Sequence, residues 1–459
     1  MTKRCEKFLF VCVKFRNFIY ICSYNFLTRK VPITNFIKMI RRQRKRQTGL
    51  GKFFHLEFVL YLLYGKIQAI CLISLFLFVC YNHSYSQTAN TSEHIIIDLD
   101  APRGEALKAS SLFKNVKTII LEENSMSLLG GVSRLQVFDG HLYVLDTRIA
   151  KCLFVFDFDG KFIRKIGGIG RGPGEYTRIS DFTIDRANKI LYVLDDLGLK
   201  ANKHRTSDGT YIESIRLDVM RNNPLYIQYY DNALFVNVKP WDSNADDFQL
   251  LKIDPKTGTV LEKFFKASQH NKGWNLPDSK GRTFFNESCG VPVFCDVFMD
   301  GLISLDGMVP VLSIRSKDLA TSRDVEALKQ KRDYVEYLSA FFSLPKIHAI
   351  RGYIEQKNFI HFAYWQGVPI FVLYDLKTGL MHNGIENDLR YRDGKKPLWI
   401  FSSDEKGAYE IIQPDNMDSF IKELKNNRLV SNIDKLDELK KLNEEANPVI
   451  FYYEFKDAE

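Results

Sequence analysis

The 459-residue sequence lacks the short signatures that most often reveal a reaction. It has no C-x-x-C pair, no H-x-H or H-x-x-x-H spacing and no G-x-S-x-G. A locally encoded zinc site, a dithiol redox pair and a nucleophile elbow are therefore excluded. Five of the eight cysteines (Cys5, Cys12, Cys22, Cys71 and Cys80) precede residue 87, leaving Cys152, Cys289 and Cys295. An odd set of three is no disulfide framework. A Cys289–Cys295 bridge is one reading, and small buried apolar residues are the other. With 27 Gly and 14 Pro there is no collagen-like or low-complexity bias. No uninterrupted apolar run reaches the ~20 residues that a spanning helix needs.

Basic charge is also missing from most of the chain, although the formal net charge is +9. Met1–Lys52 holds fourteen Lys and Arg against a single acid, Glu6, so everything after it is mildly acidic. This distribution excludes a nucleic-acid-binding core. The basic arm, centred on Arg41–Arg46, leads into the apolar run Ile67–Cys80 and then to Tyr85-Ser86-Gln87. A positive region, a short apolar run and small residues before a Ser86/Gln87 cut describe a secretory signal. The expected product is periplasmic, cell-surface or secreted. An uncleaved anchor, the only membrane contact expected, is the alternative, and Met39 is a second candidate start. Residues 1–86 are thus read as extension plus signal, and 87–459 as the folded body.

That body is aromatic-rich and repetitive. Aromatic content of 13% favours strands. Leu142-Tyr143-Val144-Leu145-Asp146 recurs as Leu191-Tyr192-Val193-Leu194-Asp195, and Gly160, Gly209 and Gly258 keep the same 49-residue offset. Tyr374–Gly379 repeats the hairpin signal once more. Each unit reads as four short strands, in the second unit Ile179–Asp185, Lys189–Asp195, Lys200–Thr206 and Tyr211–Leu217. A four-stranded sheet at this period is the mark of a β-propeller blade. The expected spans are 132–166, 179–217, 223–265, 282–316, 346–385 and a last blade after Pro397. His94–Leu99 and Val116–Leu121 precede the first unit, and Val449–Phe455 ends the chain. The expected fold is an all-β, six-bladed propeller of antiparallel blades, with the two chain ends closing one sheet. Helical periodicity at 318–342 (Val325, Leu328, Val335) and 415–446 marks two insertions, expected to pack on the rim.

The stretch Gly167-Gly168-Ile169-Gly170-Arg171-Gly172-Pro173-Gly174-Glu175-Tyr176, followed by Ile179–Asp185 and Leu191–Asp195, resembles an NHL-type repeat. It is most similar to a secreted six-bladed propeller family of unknown function from Gram-negative bacteria. Ala106–Phe113 and Asn447-Pro448-Val449 carry the same resemblance, which covers about 94–455. It implies an exported binding module with no established reaction.

Candidate ligand contacts at the channel mouth are Arg134, Arg171, Glu175, Tyr176, Arg178, Trp241 and His348. The Gly170–Gly174 loop lacks the Gly-Lys-Ser/Thr of a phosphate cradle and is expected to join two blades. Asp146, Asp185 and Asp195 are expected to cap turns. Trp241, Trp274 and Trp365 are candidates for stacking on a sugar, or for packing between blades. The expected function is binding of a peptide, glycan or protein by a monomer with no cofactor. The alternative is a metal-dependent lyase or hydrolase using axial His or Asp, with His348 the best-placed histidine.

Overall fold

Small sheets leave backbone groups unpaired along two edges, and the architecture is organised around satisfying them. The computed structural model describes residues 94–456 apart from 242–245, 277–283 and 285–289. The basic arm, the apolar run and its cleavage point, Cys289 and most of the loop after Trp241 lie outside these residues. Among the described residues no helix is long and apolar enough to cross a membrane.

Six blades form the ring; blades one to three fall closely on their expected spans, whereas the regular strands of blade four begin only at Val293. Before the first blade come four strands, β1 (Ile95–Asp98), β2 (Arg103–Gly104), β3 (Leu107–Lys108) and β4 (Phe113–Ile120). Blade one comprises β5 (Arg134–Phe138), β6 (His141–Asp146), β7 (Cys152–Asp157) and β8 (Phe162–Ile166). Blade two comprises β9 (Ile179–Asp185), β10 (Ile190–Asp195), β11 (Lys200–Arg205) and β12 (Tyr211–Arg216). Blade three has β13 (Asn222–Tyr230), β14 (Ala233–Pro240), β15 (Phe248–Ile253) and β16 (Val260–Lys266). Blade four contains β17 (Val293–Phe294), β18 (Gly301–Ser304) and β19 (Pro310–Arg315), and a bridge from Phe284 to Phe294 extends it inward. Blade five has β20 (Ala349–Gln356), β21 (Phe359–Gln366), β22 (Val368–Asp375) and β23 (Met381–His382), followed by β24 (Ile385–Glu386). Blade six uses β25 (Ser402–Ser403), β26 (Gly407–Ile412) and β27 (Val449–Phe455).

Blade six is completed by β4, antiparallel to β27 from Val449↔Ile120 to Phe455↔Phe113, so the chain ends do share one sheet. The earlier N-terminal strands have a separate task. β1 lies parallel on the outer strand β19 of blade four, and β2 lies parallel on β23 of blade five. β3 pairs with β24. Residues 95–120 therefore strap three successive blades and supply hydrogen bonds to edges that would otherwise be open. Alternation fits that position: Ile97 is buried while Ile96 and Asp98 face solvent. Asn447 locks the closure from inside, accepting from Leu129 N (2.9 Å) and donating to Ser127 O (2.8 Å) and Glu122 O (3.0 Å).

The repeated residues have repeated causes. Gly160 and Gly258 have φ of +90° and +76°, and an added Cβ would lie 2.0 Å from Ile120 O and 1.9 Å from Arg216 O. Each outer strand thus ends against the third hairpin turn of the next blade, too close for any side chain. Asp146 and Asp195 are equivalent clamps. Asp146 accepts from Gly130 N (2.7 Å) in the connector entering its blade and from Arg148 N (2.8 Å) in its own loop. Asp195 accepts from Thr177 N (2.8 Å) and Gly198 N (2.9 Å) in the same way. Asp185 caps its turn through Asn188 N at 3.1 Å. All three aspartates cap turns, as expected.

The insertions are helical where the periodicity places them. Ser322–Lys329 (α1) and Tyr334–Ser343 (α2) lie between blades four and five. Met417–Lys425 (α3) and the short Leu436–Leu439 (α4) lie between β26 and β27. Val325, Leu328, Tyr337 and Phe341 pack with Trp274 and Phe298, whereas Phe420 and Leu424 join the blade-six core. Val335, expected to face inward, is exposed instead. The Asp333 cap starts α2 at Tyr334, and with Tyr337 and Phe341 on the core side Val335 is turned toward solvent.

Closure by β27 predicts a global effect. A chain lacking residues 447–455 should lose its cooperative near-UV circular dichroism transition. A truncated chain that melts like the parent would contradict the scheme.

Candidate functional site

Strand alternation divides the ring into two faces. One carries the hairpin turns between first and second and between third and fourth strands. The other carries the blade-to-blade connectors and the loops between second and third strands. The Asp146 and Asp195 clamps tie these latter two kinds of loop together.

The residues expected at the channel mouth separate into three groups. Arg134 and Tyr176 are interior. The Arg134 guanidinium donates to Asp181 Oδ2 (2.8 Å), Gln228 Oε1 (2.8 Å), Ile227 O (3.0 Å) and Phe182 O, and lies 5.2 Å over the Phe182 ring. It thereby joins the inner strands of blades one, two and three. Asp181 also accepts from Ile227 N (2.8 Å), and Thr183 Oγ1 from Tyr229 N (2.9 Å). Arg186 and Ser402 donate to Val137 O and Leu135 O at 3.0 Å each. Side chains here do for the inner edges what the strap does for the outer ones. Tyr176 is fully buried between blades one and two, and that burial raises its phenol pKa.

Glu175 and Arg178 shape the connector between blades one and two. Glu175 Oε2 accepts from Gly172 N at 2.7 Å, and its carbonyl accepts from Lys200 and Asn202 at 2.9 Å. Arg178 Nε donates to both oxygens of the buried Asp196 at 2.8 and 3.0 Å. His348 is buried among Phe298 and Phe341, with Nδ1 2.7 Å from Lys346 O. Arg171, Arg178 and Trp241 are the three of the seven that stand exposed on loops of the connector face.

No cluster of three or more His, Cys, Asp or Glu positioned to hold a metal ion occurs among the described residues. His361 is enclosed on β21, where burial drives its pKa down to about 4. Cys295 is free and fully buried, its thiol pushed up to about 12 by desolvation. Trp274 is fully buried against Tyr337 and Phe341, and Trp365 meets Trp399 edge-on at 6.3 Å.

The connector face of blades one to three carries a feature that the sequence reading missed. Each of its connectors and second-to-third-strand loops exposes a large apolar side chain. Met126 and Leu128 stand on the connector into blade one, Ile149 on that blade's loop and Ile169 on the next connector. Leu197, Met220 and Trp241 continue the series through blades two and three. Ile149 is 69% and Ile169 63% exposed. Turn segments such as Gly168-Ile169-Gly170 and Asp196-Leu197-Gly198 ordinarily carry polar residues. A bulky aliphatic residue inside them is the signal that would have located this face. The helical insertions lie on the same face in the other half of the ring.

A model for the domain of unknown function DUF4934 matches residues 94–454. The chain belongs to that family. Its fold is similar to that of a Bacteroides fragilis protein thought to be exported, at 18% identity and a TM-score of 0.62, covering 80% of this chain and 100% of the other. It also aligns with a member of the DUF4221 family from Bacteroides vulgatus at 12% identity and a TM-score of 0.46, covering 76% and 98%. No curated protein matches the sequence.

The buried Arg134–Asp181 pair provides a stability test. Arg134→Leu leaves Asp181 without its buried counter-charge and should cost about 3–5 kcal/mol in urea unfolding. Arg171→Ala, on the exposed loop, should change stability by no more than about 0.5 kcal/mol.

Proposed function

We infer that this member of the family is an exported, NHL-like propeller that binds a protein or peptide partner through the connector face of blades one to three. The reading is carried by the unbroken series of solvent-facing apolar side chains on six consecutive loops. Exposed apolar surface of this kind is costly in water and is relieved by a partner. Aliphatic Met, Leu and Ile predominate, which favours polypeptide side chains over sugar rings, since stacking on a sugar wants aromatic faces. The series spans three blades, a breadth that suits a macromolecule better than a small ligand. Arg171, Glu175 and Arg178 border it and would set orientation through polar contacts, with Trp241 the aromatic member of the series itself. The rigid ring holds the loops, so little ordering entropy is lost on binding.

Export is supported by the basic, apolar and small-residue sequence ending at Ser86, and by the likeness to a Bacteroides protein thought to be exported. N-terminal sequencing of protein recovered from the cell envelope or medium should begin at Gln87. Material retaining Ile67–Cys80 would instead support the anchor.

The binding face is tested with a random peptide library selected on the immobilised protein. Selected peptides should be rich in apolar residues. Combined Ile149→Ser, Ile169→Ser and Leu197→Ser should weaken their binding by at least about tenfold while leaving the melting temperature unchanged. Val335→Ser, on α2, should have no effect. Undiminished binding to the triple variant would defeat the assignment.

A further inference from the structure

The hairpin face carries a second feature, independent of the binding face. Between blades three and four a cleft of about 260 Å³ opens at the β13–β14 and β18–β19 turns. Its floor is apolar: Phe235 and Leu305 are buried, and Phe264 and Met308 pack against the same core. Tyr230 lines one wall. At the mouth stand the exposed carboxylates of Asp231 and Asp306, one on each turn. Lys252 and Glu262 also line the cleft, but they form an ion pair with each other at 3.1 Å. The lining is therefore net negative by the two aspartates. Burial, then the charges of Asp306 and Asp231, raise the Tyr230 phenol above its ordinary pKa, so both carboxylates act on that ring's hydroxyl.

We propose that this cleft between blades three and four binds a small organic cation, its apolar body on Phe235, Phe264 and Met308 and its charge between Asp231, Asp306 and the Tyr230 ring. The floor removes apolar surface from water, and the aromatic faces together with the two carboxylates select positive charge over neutral shape. An anion is disfavoured because Lys252 is already committed to Glu262. The volume suits a group the size of an alkylammonium, and a sugar would bring hydroxyls that the floor has no groups to satisfy.

Choline and its uncharged isostere 3,3-dimethylbutan-1-ol serve as probes of the full chain by calorimetry or ligand-observed NMR. Choline should bind at least about tenfold more tightly than the isostere. Combined Asp231→Asn and Asp306→Asn should abolish that preference without shifting the melting temperature, because both residues are exposed. Ile149→Ser should leave it intact. Equal binding of the two probes, no choline binding at tens of millimolar (on the order of the weakest specific sites), or an undiminished preference in the double variant would each overturn the proposal.

Discussion

The structure depends on the backbone hydrogen bonds that a small sheet cannot make for itself. Each blade has an inner and an outer edge, and an unpaired buried amide or carbonyl costs about as much as a lost hydrogen bond. The pairing of β27 with β4 closes the ring and makes the two ends of the folded body interdependent. The strap formed by β1, β2 and β3 extends that solution to blades four and five. Blades one to three keep free outer strands, and these carry charge: Arg164 and Lys165 on β8, Glu213 and Arg216 on β12, Glu262 and Lys263 on β16. Charged edge strands resist pairing with other chains.

The inner edges are settled by side chains. Arg134, Asp181, Thr183, Arg186 and Ser402 bond to backbone groups of inner strands in other blades. This use of polar residues near the axis bears on how a propeller should be read. Conspicuous charged residues near the centre invite a catalytic interpretation, yet here Arg134 and Asp181 are committed to the scaffold. The loops that remain available lie on the connector face. There the connectors into blades one and two are pinned by the buried Asp146 and Asp195, and their apolar side chains are held outward.

The same division explains the asymmetry of the ring. Blades four to six carry the helical insertions on the connector face, and the helices bury their apolar stripes against Trp274, Phe298 and the blade-six core. Blades one to three keep short loops there. The hairpin face has its own opening where blades three and four diverge, lined by turns instead of connectors. Two surfaces of different chemistry, one aliphatic and broad, one acidic and narrow, thus occupy opposite faces of one scaffold.

Much of the fold was legible in the sequence because a repeated unit imposes a repeated local constraint. The 49-residue offset of Gly160, Gly209 and Gly258 records hairpin turns with positive φ, two of them against a neighbouring backbone, and that of Asp146 and Asp195 records a shared turn clamp. The strands of blade two could accordingly be placed to within a residue of Ile179–Asp185, Ile190–Asp195, Lys200–Arg205 and Tyr211–Arg216. What β1 and β2 do was not legible, since parallel pairing with β19 and β23 joins residues more than two hundred positions apart and leaves no local pattern. The fates of Arg134 and Tyr176 were hidden for the same reason: whether a polar side chain is exposed or enclosed depends on neighbours contributed by other blades. Sequence alone determined the period, the turns and the closure of the ring. Tertiary structure decided which polar groups were consumed by the scaffold and which apolar ones were left in water, because burial is a property of the assembled ring and not of any one repeat.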